Sequence, residues 1–405
     1  MLKKEVSSKL KKYNQEHLLN FYDELNFLEK IKLNRDIKKI DFELMNNLYK
    51  NSFFNDEIDM NLISNLKCIH NININEEKEY IDIGKKIVNN GKYAVVIMAG
   101  GNASRLGLNG PKGCLELNIN DKKVSLFEIF INQLKTYYKK ENIYLNLYIM
   151  TSNYNYKETI SFFKKNNYFN YPKKKIKFFI QNELPILDID GKILLKEKNK
   201  VLFGPNGNGD VFNSLKKNKI INHMKKNKIE YALFSTVDNA LTNLIDLKFI
   251  GATIHNGYKL STKTLFKKDE NAKDWVFCKY NGKPFMLPSS YINLDISNEK
   301  DENGNYLYRE TNITYHLLSF DNIEKLSNTN LKYHRAYKKN NYINGEGFQI
   351  NADKPNTFKF EKFIFDGFYY CDDMLLYRTD EKEFCPIKNF EDIKKVEEEF
   401  IKNIN

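Results

Sequence analysis

The sequence is poor in cysteine, proline and tryptophan, and it has no long apolar run. Its five cysteines are odd in number, widely spaced and never arranged as C-x-x-C. That spacing excludes a disulfide framework and a cysteine-based zinc finger. With eight prolines in 405 residues, no low-complexity linker interrupts the chain. No stretch approaches the ~18 consecutive apolar residues of a membrane-spanning helix. The opening Met1-Leu2-Lys3-Lys4-Glu5 lacks the apolar core of a secretory signal. Acidic side chains are also short, 52 against 64 Lys and Arg, for a net charge of +12. The runs Lys173-Lys174-Lys175 and Lys225-Lys226 read as solvated surface, and attraction for phosphorylated small molecules stays open beside that reading. No RNP-like aromatic motif, zinc finger or sustained basic helix is present, so no nucleic-acid partner is expected.

What is present is enough for a substantial core: 41% hydrophobic and 14% aromatic residues. Residues 1–90 are proline-free and read as an N-terminal helical region, with Leu18, Leu19, Tyr22, Leu25 and Leu28 at helix spacing. From Tyr93 the pattern changes. Tyr93 to Met98 is a continuous apolar run ended by Gly100-Gly101, as in a buried parallel strand. Strand-like runs follow at Leu145 to Met150, Ile176 to Ile180 and Tyr231 to Val237, and helical stretches at Ser125 to Tyr138 and Lys157 to Lys165 lie between the first three. This alternation predicts an α/β fold: a doubly wound, mainly parallel, Rossmann-like sheet flanked by helices. Residues 186–203, turning at Asp190-Gly191, and 257–310, turning at Asn281-Gly282, read as β insertions. The expected organisation is 1–90, a main domain over 91–390, and a C-terminal helix over 391–405.

The strongest local signal is Ala99-Gly100-Gly101-Asn102-Ala103-Ser104-Arg105-Leu106-Gly107, followed by Pro111-Lys112-Gly113. It leaves a buried strand at the sheet edge where open α/β folds bind ligands. Adjacent glycines let the backbone approach a nucleotide closely and turn N–H groups to phosphate oxygens. Arg105 and Lys112 then supply a fork and a point charge. Such charge is needed wherever two phosphorylated molecules meet. Like unit charges about 4 Å apart repel by about 1 kcal/mol in water and about 4 kcal/mol at an effective dielectric of about 20. The loop is neither a Walker A sequence, since Lys112 follows proline, nor a G-x-G-x-x-G fingerprint. Asp238, at a strand end, reads either as a Mg²⁺ ligand or as a helix N-cap. Two Asn-x-Ser/Thr sequons, at Asn102 and Asn312, lie among the candidate site residues. A glycan there would block function, so a reducing, cytoplasmic location is expected.

In this loop, and in a series of motifs that follow in order, the chain resembles the UDP-sugar pyrophosphorylases, above all the eukaryotic UDP-N-acetylglucosamine pyrophosphorylases. The motifs are Gln181-Asn182-Glu183-Leu184-Pro185, Pro205-Asn206-Gly207-Asn208-Gly209, Val237-Asp238-Asn239, Glu361-Lys362-Phe363 and Phe384-Cys385-Pro386-Ile387-Lys388-Asn389. The resemblance implies a uridylyltransferase that makes UDP-N-acetylglucosamine and pyrophosphate from UTP and N-acetylglucosamine 1-phosphate. It implies that Gly100 and Gly101 approach the nucleoside, and that Gln181 and Gly207 bond the uracil. Asn208 and Asn312 face the sugar, and Asp238 holds Mg²⁺ against the α-phosphate. Arg105 and Lys112 meet the leaving pyrophosphate, while Lys359 and Lys388 hold the sugar phosphate and α-phosphate from the other side. Seen alone, Lys359 and Lys388 read as ordinary surface lysines, and Gln181 could cap a strand.

Three positions depart from the family. Ala103 stands in the phosphate loop where glycine is usual, Pro288 where a sugar-bonding glutamate is usual, and Arg309 where the first of two sugar-facing asparagines is usual. Two of the three fall on the sugar side. That keeps two alternatives open: a pyrophosphorylase for another sugar 1-phosphate, and a catalytically silent nucleotide-sugar-binding homologue.

Overall fold

The computed structural model describes residues 2–51, 57–103, 106–108, 110–269 and 274–402. The chain forms two compact units. The larger comprises Ile58–Gln181, Val211–Asn330 and Ile364–Asn405, and the smaller Met1–Glu57, Asn182–Asp210 and Leu331–Phe363.

The larger unit is built on an 11-stranded sheet. Its main path runs Cys68–Ile69, Leu375–Arg378, Leu260–Phe266, Glu310–Ser319, Tyr231–Thr236, Tyr93–Met98, Asn146–Thr151 and Ile176–Ile180. Every pairing on this path is parallel except the two made by Glu310–Ser319, which runs antiparallel to both neighbours. This is the expected mainly parallel α/β sheet. The strand Tyr93–Met98 is buried on both faces, which is why it reads as an unbroken apolar run and not as an alternation. Tyr93, Val95 and Ile97 join a cluster with Phe127, Phe130 and Leu134 of the helix Leu126–Glu141. Ser125 caps that helix by accepting from the Glu128 N–H, so it starts where the sequence placed it.

The boundary expected at residue 90 falls instead between Glu57 and Ile58. The helix Ile74–Asn89 belongs to the larger unit because it packs backbone to backbone on Leu247–His255. A Cβ on Gly84 would lie 2.0 Å from the Leu247 carbonyl oxygen, and one on Gly251 1.7 Å from the Tyr80 carbonyl oxygen. Only glycine fits at either place. The expected insertion over 257–310 also divides. Leu260–Phe266 is an interior strand of the sheet, while Val276–Tyr280 and Lys283–Leu287 form a hairpin across Asn281-Gly282. Both turn residues have positive φ, 49° and 73°, as a two-residue hairpin turn demands. The C-terminal helix spans Phe390–Lys402, and its Glu397 accepts from the Asn118 N–H at 2.7 Å.

The smaller unit contains the helices Leu2–Lys12, Phe27–Lys38 and Phe42–Asn51. The expected helix through residues 18–25 is two 3-10 turns, Glu16–Leu19 and Tyr22–Glu24, ahead of a capping box formed by Asn26 and Glu29. Its core joins Leu10, Leu18, Leu33 and Phe42 to Leu187, Ile193 and Phe360. The 186–203 insertion turns at Asp190-Gly191, with Leu187 bridging Ile193, and forms a second short hairpin from Leu195–Glu197 to Lys200–Val201.

A buried histidine in the large sheet gives the fold a pH dependence. His316 is fully buried; its Nδ1 lies 2.8 Å from the Thr262 hydroxyl and its Nε2 has no partner among the described residues. Burial pushes its pKa down to about 3. The native state therefore keeps the ring neutral, whereas the unfolded chain protonates it below about 6.5. This contribution to stability is complete above about pH 6.5 and is lost as pH falls toward 3, by about 1.4 kcal/mol per unit. Urea unfolding of wild type and His316→Asn at pH 7 and pH 5 checks it: the stability gap between them should narrow on acidification, and a constant gap contradicts this account.

Candidate functional site

The loop after Tyr93–Met98 is held in place by an asparagine that sequence reasoning passed over. Asn155, fully buried, donates from Nδ2 to the carbonyls of Ala99 at 3.0 Å and Gly101 at 3.2 Å. Its Oδ1 accepts from the Ser152 N–H at 2.8 Å. The loop closes on itself where the Lys112 N–H donates to the Gly101 carbonyl at 3.1 Å. Gly100 and Gln181 are brought together: a Cβ on Gly100 would lie 2.7 Å from Gln181 Oε1. Gly101 differs. It is exposed, its φ is not positive, and a Cβ there would meet nothing within 4 Å. Among the described residues, neither backbone conformation nor packing demands glycine at 101. Ala103 is buried and is not among the residues with positive φ. Glycine is therefore not required at 103 by its backbone conformation. Arg105 lies outside the described residues.

Lys112 and Asp238 meet directly. Lys112 Nζ lies 3.1 Å from Asp238 Oδ2, with the two side chains 16% and 27% exposed. The lysine comes from the glycine loop and the aspartate from the end of Tyr231–Thr236, so both stand at the C-terminal edge of adjacent parallel strands. Asp238 is not a helix N-cap; turns and irregular residues follow it, and the next helix starts at Leu247. Its carbonyl accepts from the Ile387 N–H at 3.0 Å, and Asn239 clasps the same segment through the Glu383 carbonyl and the Cys385 N–H. This sets Lys388, exposed, one residue beyond a contact with Asp238. The Lys388 N–H and the Asn389 N–H both donate to Asp392 at the start of the C-terminal helix.

A buried lysine outside every sequence expectation braces this segment. Lys263, 1% exposed, lies 2.6 Å from Asp246 and also pairs with Glu383. Burial works against both charges of the Lys263–Asp246 pair, yet the attraction wins, holding Asp246 below the usual carboxylate range and Lys263 above the lysine range. Nothing in the spacing of Thr262-Lys263-Thr264 marks this lysine as different from a surface one.

Asn312 lies on Glu310–Ser319, where the register with Leu260–Phe266 shifts. Its Oδ1 accepts from the Thr314 N–H at 2.7 Å, and Thr314 sits at φ 55°. A β-branched residue in the left-handed region is strained by about 1–3 kcal/mol. Because Ser235 pairs with Tyr315, the strained bulge abuts the strand end from which Asp238 departs. Pro288 leads into a 3-10 turn, its carbonyl accepting from the Tyr291 N–H.

Arg309 does not stand as a sugar ligand. It is 3% exposed, donates from Nε to the Ser297 carbonyl and from Nη2 to Asn298 Oδ1, each at 2.8 Å, and stacks 3.8 Å from the Tyr306 ring. Arg309→Asn is expected to cost about 1.5–3 kcal/mol of stability while leaving the ranking of sugar 1-phosphates unchanged. Denaturant melts and a substrate panel on the variant check both halves; an altered ranking would return the guanidinium to the sugar.

The smaller unit brings Gly207, Asn208 and Lys359 together on two adjacent segments. Gly207 has φ 89°, and a Cβ there would lie 2.2 Å from the Lys362 carbonyl oxygen. The Lys362 N–H donates to the Asn206 carbonyl, and the Gly209 N–H to the Lys362 carbonyl. Asn208 opens the 3-10 turn Asn208–Asp210. Lys359 Nζ pairs with Glu361 at 2.7 Å, and its stem passes Gly204. Asp210, 1% exposed, gathers the segments: its carboxylate accepts from the Asn182 N–H, Asn182 Nδ2 and Asn206 Nδ2. Burial pulls Lys362 below the usual lysine range, with the Asp210 charge opposing.

Among the described residues no helix is long and apolar enough to cross a membrane. The family model described as UTP–glucose-1-phosphate uridylyltransferase matches residues 40–403. A UDP-N-acetylglucosamine pyrophosphorylase of Saccharomyces cerevisiae is 34% identical over 331 residues, which cover 78% of this chain and 69% of that protein. UDP-N-acetylglucosamine diphosphorylase 2 of Arabidopsis thaliana is 29% identical over 404 residues, 94% of this chain and 79% of the relative. The crystal structure of the uridine diphosphate N-acetylglucosamine pyrophosphorylase from Trypanosoma brucei in complex with inhibitor superposes with a TM-score of 0.79 over 98% of this chain and 84% of that one; at 24% identity it supports the fold.

Proposed function

The chain belongs to the UTP–glucose-1-phosphate uridylyltransferase family, and we propose that it joins UTP to N-acetylglucosamine 1-phosphate, releasing pyrophosphate and forming UDP-N-acetylglucosamine. The observation that carries the chemistry is the Lys112–Asp238 pair at the strand ends beside the glycine loop. The sugar is taken from the yeast and plant relatives named above.

In this reading a phosphate oxygen of the sugar 1-phosphate attacks the α-phosphorus of UTP. The bond from that phosphorus to the bridging oxygen breaks, and pyrophosphate leaves with the electron pair. The nucleophile is already an anion, so no general base is needed. The protein's part is to position the reactants and neutralise charge. Within the larger unit, Gly100, Gly101 and Gln181 take the nucleoside and Asn312 the sugar; for the smaller unit, the family resemblance assigns Gly207 to the uracil and Asn208 to the sugar. Within the larger unit, Arg105 and Lys112 take the leaving pyrophosphate and Lys388 a phosphate at the reacting centre; for the smaller unit, the family resemblance gives Lys359 a phosphate-holding role. Asn155, Lys263 and Asp210 touch no substrate and act by holding these residues in place.

Asp238 supports a Mg²⁺ requirement on electrostatic grounds. A carboxylate left bare beside a triphosphate repels it by about 4 kcal/mol at about 4 Å and an effective dielectric of about 20. In the free protein Lys112 neutralises it at 3.1 Å. Once Lys112 turns to phosphate, Asp238 needs another cation, and one carboxylate with phosphate oxygens is the donor set Mg²⁺ favours. Bound there, Mg²⁺ would supply a Lewis acid to the phosphate oxygens. All five cysteines are free thiols, in keeping with a cytoplasmic enzyme.

Pyrophosphate release from UTP and Mg²⁺ with a panel of sugar 1-phosphates tests the reading. Selective release with N-acetylglucosamine 1-phosphate is expected. Release with only a non-acetylated sugar changes the substrate, and silence with every sugar despite UTP binding removes the activity.

A further inference from the structure

On the strand that carries Asn312, but sharing no residue with the Lys112–Asp238 pair, the structure gathers three donors of mixed chemistry. Cys68 lies on the edge strand Cys68–Ile69, His70 follows it directly, and Glu310 begins the strand Glu310–Ser319. One ligand atom from each falls within 4.8 Å of the other two. The topology brings them there. Cys68 pairs with Leu376 and Ile69 with Tyr377, which sets His70 beside Arg378; Arg378 pairs with Thr264, and Phe266 with Glu310.

The surroundings are those of a held ligand set. Glu310 is 2% exposed. Arg378 donates to its Oε1 from Nε and Nη2, at 2.9 and 2.5 Å, and the Thr264 hydroxyl donates to its Oε2. The carboxylate is thus fixed in orientation. His70 Nδ1 is buried and has no hydrogen-bond partner. A buried imidazole nitrogen left without a partner among the described residues costs about 1–3 kcal/mol, which a ligand taken by the ring would offset.

We propose that Cys68, His70 and Glu310 bind a Zn²⁺ ion that fastens the edge strand to the strand bearing Asn312. A thiolate, an imidazole and a carboxylate together are a zinc donor set, whereas Mg²⁺ takes oxygen donors. Zinc sits about 2.0–2.3 Å from such ligands, so donors 4.8 Å apart or closer reach it with small side-chain adjustments. Arg378 and Thr264 supply the outer hydrogen bonds that ligating carboxylates use to keep their orientation. Binding releases the Cys68 thiol proton to solvent. The metal clips the sheet and takes no part in phosphoryl chemistry.

The test uses the full chain, loaded with Zn²⁺, desalted and assayed for metal content. Wild type and Asp238→Asn should each retain one equivalent, and Cys68→Ser and His70→Ala should lose it while keeping a native circular dichroism spectrum. Loading with Co²⁺ should give wild type a thiolate-to-cobalt charge-transfer band that Cys68→Ser lacks. The proposal is overturned if wild type retains no zinc, if both variants retain it as wild type does, or if the cobalt spectrum carries no thiolate band. The spectrum decides the case independently of whether a variant folds.

Discussion

Lys112→Ala is expected to lower turnover about 10²–10³-fold, the loss seen when one preorganised transition-state donor is removed, or roughly 3–4 kcal/mol. The argument rests on where the lysine stands and what it leaves behind. Lys112 is fixed by its own backbone, through its N–H to the Gly101 carbonyl, and by Gly113, where a Cβ would lie 2.2 Å from the Phe127 ring. The ammonium is therefore carried on backbone pinned at Gly101 and at Gly113. Its partner Asp238 is 27% exposed, so losing the ion pair costs the free protein little, about 0–1 kcal/mol for pairs with access to solvent. Activity should fall far more than stability. Steady-state kinetics and a thermal melt on the same preparation separate the two. A variant that keeps its melting temperature and its turnover would show that Lys112 serves only as a counter-charge to Asp238.

The sheet was legible because its central strands are buried on both faces. Tyr93–Met98 begins and ends where its apolar run does, and Asn146–Thr151, buried throughout, lies within one residue of its run. Leu260–Phe266 was legible as a strand but not as an interior one, since apolar content says nothing about which neighbours a strand pairs with. The unit boundary was illegible for a related reason. Ile74–Asn89 reads as one more N-terminal helix, and only the glycine-to-carbonyl fit at Gly84 and Gly251 assigns it to the sheet. At the candidate site the motifs carried Gly100, Gln181, Lys112 and Asp238, whose types announce their chemistry. Asn155, Lys263 and Asp210 were missed because their work is done through contacts distant in sequence: residue 155 on 99, 263 on 246 and 383, 210 on 182. Arg309 shows the reverse: its place in the motif says nothing of the contacts its guanidinium makes to Ser297 and Asn298.

Asp238→Asn separates two roles that the free protein superimposes. The carboxylate is the counter-charge of Lys112 at 3.1 Å, and in the proposed reaction it is also the anchor for Mg²⁺. If only the first role mattered, asparagine would free the lysine for phosphate, and KM for UTP would fall with turnover kept. If the second matters, asparagine removes the anionic ligand on which a hard cation depends, and turnover falls by the several kcal/mol that metal charge stabilisation supplies, about 10³-fold or more. The latter is expected, with KM for UTP unchanged or lower, because binding loses a repulsive carboxylate as well as a cation site. The backbone contacts here do not pass through the side chain: Ile387 donates to the Asp238 carbonyl, and Asn239 holds Glu383 and Cys385. The variant should therefore keep its fold and the placement of Lys388, so that a loss of turnover reports on the carboxylate itself. Kinetics across a Mg²⁺ titration decide the matter: full turnover in Asp238→Asn at the wild-type Mg²⁺ requirement would leave Asp238 without a metal role.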